Sequence, residues 1–71
     1  MNADFDYDAA TDSLYIKLRP GESVDNRIVG DDIVVDIGID GEPVGYDIQH
    51  ASQHPEAIAE ALGYLHQRHA A

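Results

Sequence analysis

Hydrophobic and polar residues alternate along most of the first fifty positions, and the apolar spacing then changes to three and four. Phe5 and Tyr7 are interleaved with Asp4, Asp6 and Asp8, and Leu14, Ile16 and Leu18 with Ser13, Tyr15, Lys17 and Arg19. A strand sends successive side chains to opposite faces, so each run predicts a short β-strand with one apolar side. Ala9-Ala10-Thr11-Asp12 reads as the turn between them, and Pro20-Gly21 ends the second run. In the segment from Val24 to Val29, Asp25-Asn26-Arg27 interrupts the apolar residues, a mixture suited to an edge strand. Gly30-Asp31-Asp32 supplies the next turn.

The strongest local signal is Asp40-Gly41 between two alternating runs, Ile33 to Ile37 and Val44 to Ile48. Asp-Gly suits a two-residue turn in which both central residues take positive φ. That turn pairs Ile37 with Val44, Val35 with Tyr46 and Ile33 with Ile48, all on one face. A one-residue slip turns every one of these side chains into water, so the pattern commits the hairpin to covering a core. Gln49 to His54 is a polar connection, with Ser52, His50 and His54 at the approach to a helix, and Pro55 suits a first helical position. Beyond it Ile58, Leu62 and Leu65 form a helical stripe flanked by Ala57, Ala61 and Tyr64. Glu56 and Glu60 near its start and Arg68 and His69 near its end match the helix dipole. Gly63 weakens the helix and is read as a point of close packing on the sheet. The pattern predicts an α+β fold: an antiparallel β-meander of four to five short strands with one C-terminal α-helix packed on one face. It forms a single small domain over residues 1–71, with the sheet at about 4–49 and the helix at about 55–69.

Seventy-one residues lie near the lower limit for one self-sufficient core, and the absence of cysteine removes disulfides and thiolate metal sites as reinforcement. Oligomerisation is the remaining common remedy, so a homodimer or a complex with another protein is expected. The start Met1-Asn2-Ala3-Asp4 has neither a basic nor an apolar signal region, and no apolar run reaches membrane-spanning length. A cytoplasmic protein is the expectation. The formal net charge is −10, with twelve of the fourteen acids in the first fifty-three residues against Lys17, Arg19 and Arg27. Such a surface repels phosphate backbones and argues against nucleic acid, while it aids solubility and accommodates a basic protein partner.

Tyr7-Asp8, then Asp12-Ser13-Leu14-Tyr15-Ile16-Lys17-Leu18, then Ile33-Val34-Val35-Asp36, and Asp40-Gly41 leading to Val44-Gly45, Asp47 and Ile48 together resemble the YuzE-like family, a bacterial domain of unknown function. Ala51-Ser52 matches the way its members often end. The resemblance covers about the first fifty residues. It implies a compact α+β fold and a bacterial source, and it brings no activity, cofactor or catalytic residue. Small proteins of this kind that sit beside toxin-like partners imply an antitoxin-like role.

Candidate chemistry is sparse. Asp4, Asp6, Asp8 and Asp12 begin like a calcium-binding loop, but its sixth and twelfth positions are Ala9 and Tyr15 where Gly and Glu are needed, so a solvated strand face is the better reading. His66 and His69, three apart on a helix, are weak candidate zinc or nickel ligands without the third partner a catalytic zinc requires. Ser13, Ser23 and Ser52 lie outside any Gly-x-Ser-x-Gly elbow, and Gly38, Gly41 and Gly45 match no phosphate-binding loop. Tyr46 reads as core. Tyr15, Lys17 and Arg19 point away from the helix, and aromatic residues with Arg are the composition of interface hot spots. The sequence therefore favours a non-enzymatic protein-interaction module with its interface at Tyr15, Lys17 and Arg19 and with no catalytic residue or cofactor. The alternative is a small metal-binding protein or metal-dependent hydrolase using the C-terminal histidines.

Overall fold

A computed structural model describes residues 5–70, with side chains as far as His66. Five antiparallel strands form one sheet: β1 (Phe5–Asp8), β2 (Ser13–Lys17), β3 (Asp25–Val29), β4 (Ile33–Ile37) and β5 (Pro43–Ile48). A 3-10 turn at Ala51–Gln53 leads into the helix α1 (Pro55–Ala70). The α+β architecture predicted by the alternation and the helical stripe is the one observed. In space the order is β1-β2-β5-β4-β3, so β5, the last strand in the chain, sits at the centre. β1 and β3 are the edges.

The register explains which face is buried. Leu14 and Ile33 both oppose Ile48, while Ile16 and Val35 both oppose Tyr46. These residues carry one apolar band across β2, β5 and β4, and α1 covers it. Ile16 and Ile48 are fully buried at its middle. Tyr46 anchors the helix: its hydroxyl donates to Glu60 at 2.6 Å, and its ring lies 6.3 Å from that of Tyr64. Burial, and after it the Glu60 carboxylate, pushes the Tyr46 phenol well above its ordinary range.

Three expectations are corrected. The hairpin between β4 and β5 has a three-residue turn: Gly41 N–H donates to Gly38, Gly38 N–H donates to Glu42, and only Gly41 of the Asp-Gly pair has positive φ, at 84°. This is the type I turn with a left-handed glycine that three-residue loops favour. A bulge between Asp36 and Ile37 absorbs the extra residue, so Ile37 opposes Pro43 instead of Val44, while the pairs Val35–Tyr46 and Ile33–Ile48 stand as predicted. On α1 the buried residues are Ala57 and Ala61, with Ile58, Tyr64 and Leu65 beside them, and Leu62 is 41% exposed. Small alanines let the helix approach the sheet, and the stripe turns accordingly. Gly63 is no packing point, since a Cβ there meets nothing within 4 Å.

Candidate functional site

Alternation sends Ser13, Tyr15 and Lys17 of β2, Val34 and Asp36 of β4, Gly45 and Asp47 of β5, and Asn26 and Ile28 of β3 to the side of the sheet away from α1. Among the described residues no element covers this open face. Its centre is a hydrogen-bonded row. Tyr15 and Asp36 belong to strands that do not touch, separated by β5, and Gly45 is the β5 residue between them. With no side chain at Gly45, the Tyr15 ring passes over β5 and its hydroxyl donates to Asp36 Oδ2 at 3.0 Å. A Cβ at Gly45 would overlap the phenol oxygen, so the glycine is required by this approach. Asn26 Nδ2 donates to the other oxygen, Asp36 Oδ1, at 3.0 Å. Partial burial, then the Asp36 carboxylate, push the Tyr15 phenol up to about 12. Tyr15 is therefore a neutral donor at physiological pH, fixed in one orientation.

Of the interface residues expected from the sequence, Tyr15 and Lys17 lie on this face, and Lys17 is exposed beside Gly45. Arg19 is drawn to the rim. Its Nη2 donates to Asp40 Oδ1 at 2.5 Å and its Nε to the Pro43 carbonyl at 3.3 Å, which ties the end of β2 to the β4–β5 turn. Arg19 in turn holds the Asp40 carboxyl below its usual range.

A second polar group lies at the end of the sheet where the chain passes into α1. Asp12, in the β1–β2 turn with a left-handed φ of 55°, accepts from Ser52 Oγ at 2.7 Å, from the Ser52 N–H, and from the Tyr7 hydroxyl at 2.7 Å. These bonds, Ser52 first, lower the Asp12 carboxyl from its ordinary value. Asp32, in the β3–β4 turn, meets His54 Nε2 at 2.8 Å and His50 Nδ1 at 3.2 Å, and Glu56 meets His54 Nδ1 at 3.2 Å. With a carboxylate at each ring nitrogen, Asp32 first and then Glu56, the His54 imidazole is raised above its ordinary 6.5. Both ring nitrogens are engaged by carboxylates, and when the ring is protonated it has no lone pair for a metal or for accepting a proton. Ser52 likewise donates to a weakly basic carboxylate, which does not make it a nucleophile. This group fastens two turns to the start of α1.

Among the described residues, no three His, Cys, Asp or Glu are arranged to hold a metal, and no helix is long and apolar enough to cross a membrane. His66 is exposed on α1, and the His69 side chain lies outside the described residues. Sequence reasoning placed Tyr15 outward but missed Asp36 and Asn26 as its partners; it read Asp32 and His54 as turn and connection residues, and Asp12 as a turn residue at the end of a calcium-like run of carboxylates. A signal was present in Gly45, a glycine within an otherwise regular strand, which marks a close approach.

The chain belongs to the family described as a protein of unknown function (DUF2283), whose model matches residues 4–52. The match spans all five strands and both polar groups as far as Ser52, and leaves out α1. No curated protein and no solved structure matches the chain.

Proposed function

We propose that this member of the DUF2283 family is a non-enzymatic protein-interaction module that binds a basic protein through the open face of its sheet. One observation carries the reading: an aromatic residue, Tyr15, is immobilised over Gly45 on a sheet face that none of the described elements covers, next to Asp36 and Asp47. A rigid, amphipathic tyrosine offers contact area at small entropic cost, which is how tyrosine serves at binding surfaces. The net charge of −10 supplies the attraction for a cationic partner. Lys17 contributes contact at the same face, and Arg19 supports its rim. The resemblance to YuzE-like proteins supports a narrower reading, an antitoxin-like chain in the cytoplasm whose partner is a basic, toxin-like nuclease.

Affinity capture from a lysate of the native host tests this, using the wild type, Tyr15→Ala, and Ala59→Lys on the exposed side of α1. The expected result is a basic protein retained at low salt by the wild type and by Ala59→Lys, and lost both with Tyr15→Ala and at high salt. Equal retention by Tyr15→Ala overturns the open face as the binding surface.

A further inference from the structure

The two edges of the sheet differ in what they offer to a second copy. A two-fold axis perpendicular to a sheet pairs its edge strand with itself antiparallel and sets residues of the same face opposite one another. For β1, an axis through Tyr7 opposes Asp6 with the partner's Asp8, and an axis through Asp6 or Asp8 opposes that carboxylate with its own copy. β3 is different. All five of its residues are exposed, Ile28 is 74% exposed, and Val24 just before it is 59% exposed. Centring the axis on Arg27 opposes two arginines, and centring it on Ile28 opposes Asp25 with Asp31. Centring it on Asn26 sets Asp25 against the partner's Arg27, twice by symmetry, and Ile28 against the partner's Val24. Of these three registers, only the one centred on Asn26 opposes charges of unlike sign and apolar groups of like kind.

We propose that a second copy of this chain pairs with β3 on a two-fold axis through Asn26, joining two five-stranded sheets into one continuous sheet. Three side chains are poised for it. Asn26 Nδ2 spends one N–H on Asp36, and neither its second N–H nor its Oδ1 has a partner among the described residues. Two asparagines meeting on an axis satisfy each other through those groups, the device that fixes register in other symmetric pairs. The Asn26 backbone N–H donates to its neighbour Asp25 at 2.9 Å. In the pair the carbonyl of the partner's Asn26 takes that N–H and releases the Asp25 carboxylate to the partner's Arg27. Arg27 has no ion pair among the described residues. The two open faces then lie side by side, with the row Tyr15, Asp36, Asn26 running unbroken across the axis. This inference rests on the β3 edge and is independent of the open-face reading.

Because an edge-strand contact falls in the weak class of interfaces below about 1,200 Å², mass is measured by sedimentation equilibrium at on the order of 0.1 mM. The wild type is expected at twice the chain mass. Asp25→Arg alone and Arg27→Asp alone each oppose like charges and lose the dimer, whereas the double variant D25R/R27D restores it. Tyr15→Ala keeps it, which separates this test from that of the binding face. The chain has no cysteine, so Asn26→Cys reports the axis directly. Opposed residues of an antiparallel pair lie about 4.5–5.5 Å apart, within disulfide reach, so N26C is expected to cross-link to a covalent dimer on mild oxidation, while Thr11→Cys stays monomeric. Circular dichroism verifies that each variant is folded. A folded wild type at monomer mass, a double variant no better than the single ones, or cross-linking by T11C and not N26C overturns the proposal.

Discussion

At Gly45 a single missing carbon decides how the open face is arranged. Its bare backbone lets Tyr15 cross β5 and reach Asp36, while Ile16, the next residue of β2, faces the other side and stays in the core. Gly45→Ala forces the phenol ring aside and breaks that bond, with overpacking expected to cost about 1–3 kcal/mol. Tyr15→Phe keeps the ring in place and removes only the hydroxyl, a loss of roughly 1 kcal/mol. Urea unfolding measures both. If Gly45→Ala destabilises no more than Tyr15→Phe, the ring is not pressed onto the strand. That Tyr15 faces away from the helix was legible from alternation alone. Its bond to Asp36 was not, because it depends on β5 lying between β2 and β4, and nothing in the local pattern of either residue encodes that order.

Among the elements, α1 shows why periodicity finds a helix more readily than its buried side. Ile58, Leu62 and Leu65 are the bulkiest apolar residues on the stripe, yet Ala57 and Ala61 face the sheet because close packing there favours small side chains. Gly63 stands on the exposed side with open space around it, so Gly63→Ala should stabilise the protein by about 1 kcal/mol, read as a higher urea midpoint. The β4–β5 turn carries a similar lesson, since Asp-Gly correctly announced a hairpin while the preference of Gly41 alone for positive φ selected the longer loop. The start of α1 is pH-sensitive through Asp32 and His54. His54 is raised, so its contribution is complete below its ordinary 6.5 and is lost as pH rises through the folded value. Asp32 is lowered, so its contribution is present above its ordinary 3.8 and is lost as pH falls through the folded value. The advantage of the wild type over His54→Gln in thermal melts is therefore expected to be greatest between those two limits and to shrink as pH rises through the folded value of His54. A gap that is constant with pH, or one that widens toward alkaline pH, contradicts a charged His54.

At the scale of the whole molecule, charge opposes compactness. The chain carries fourteen acids against four Lys or Arg, and its extents are only 32 × 25 × 22 Å. Attraction offsets little of this repulsion, since Arg19–Asp40 is the one Lys or Arg ion pair among the described residues and surface pairs contribute about 0–1 kcal/mol. At 0.01 M salt the screening length is about 30 Å, as large as the protein, so every carboxylate repels every other. At 0.15 M it falls to about 8 Å and only neighbours interact. Monovalent salt should thus raise the melting temperature across this range, the opposite of what a fold resting on its ion pairs would do. The His54 cluster sharpens the comparison, because its attractions are short and survive that screening better than the long-range repulsion. Calorimetry of the wild type at pH 6 and at pH 8.5 distinguishes the contributions: salt stabilises at both, and more at the higher pH, where fewer bound protons leave the molecule more negative. Destabilisation by salt at either pH would mean that local pairing outweighs the net field of −10.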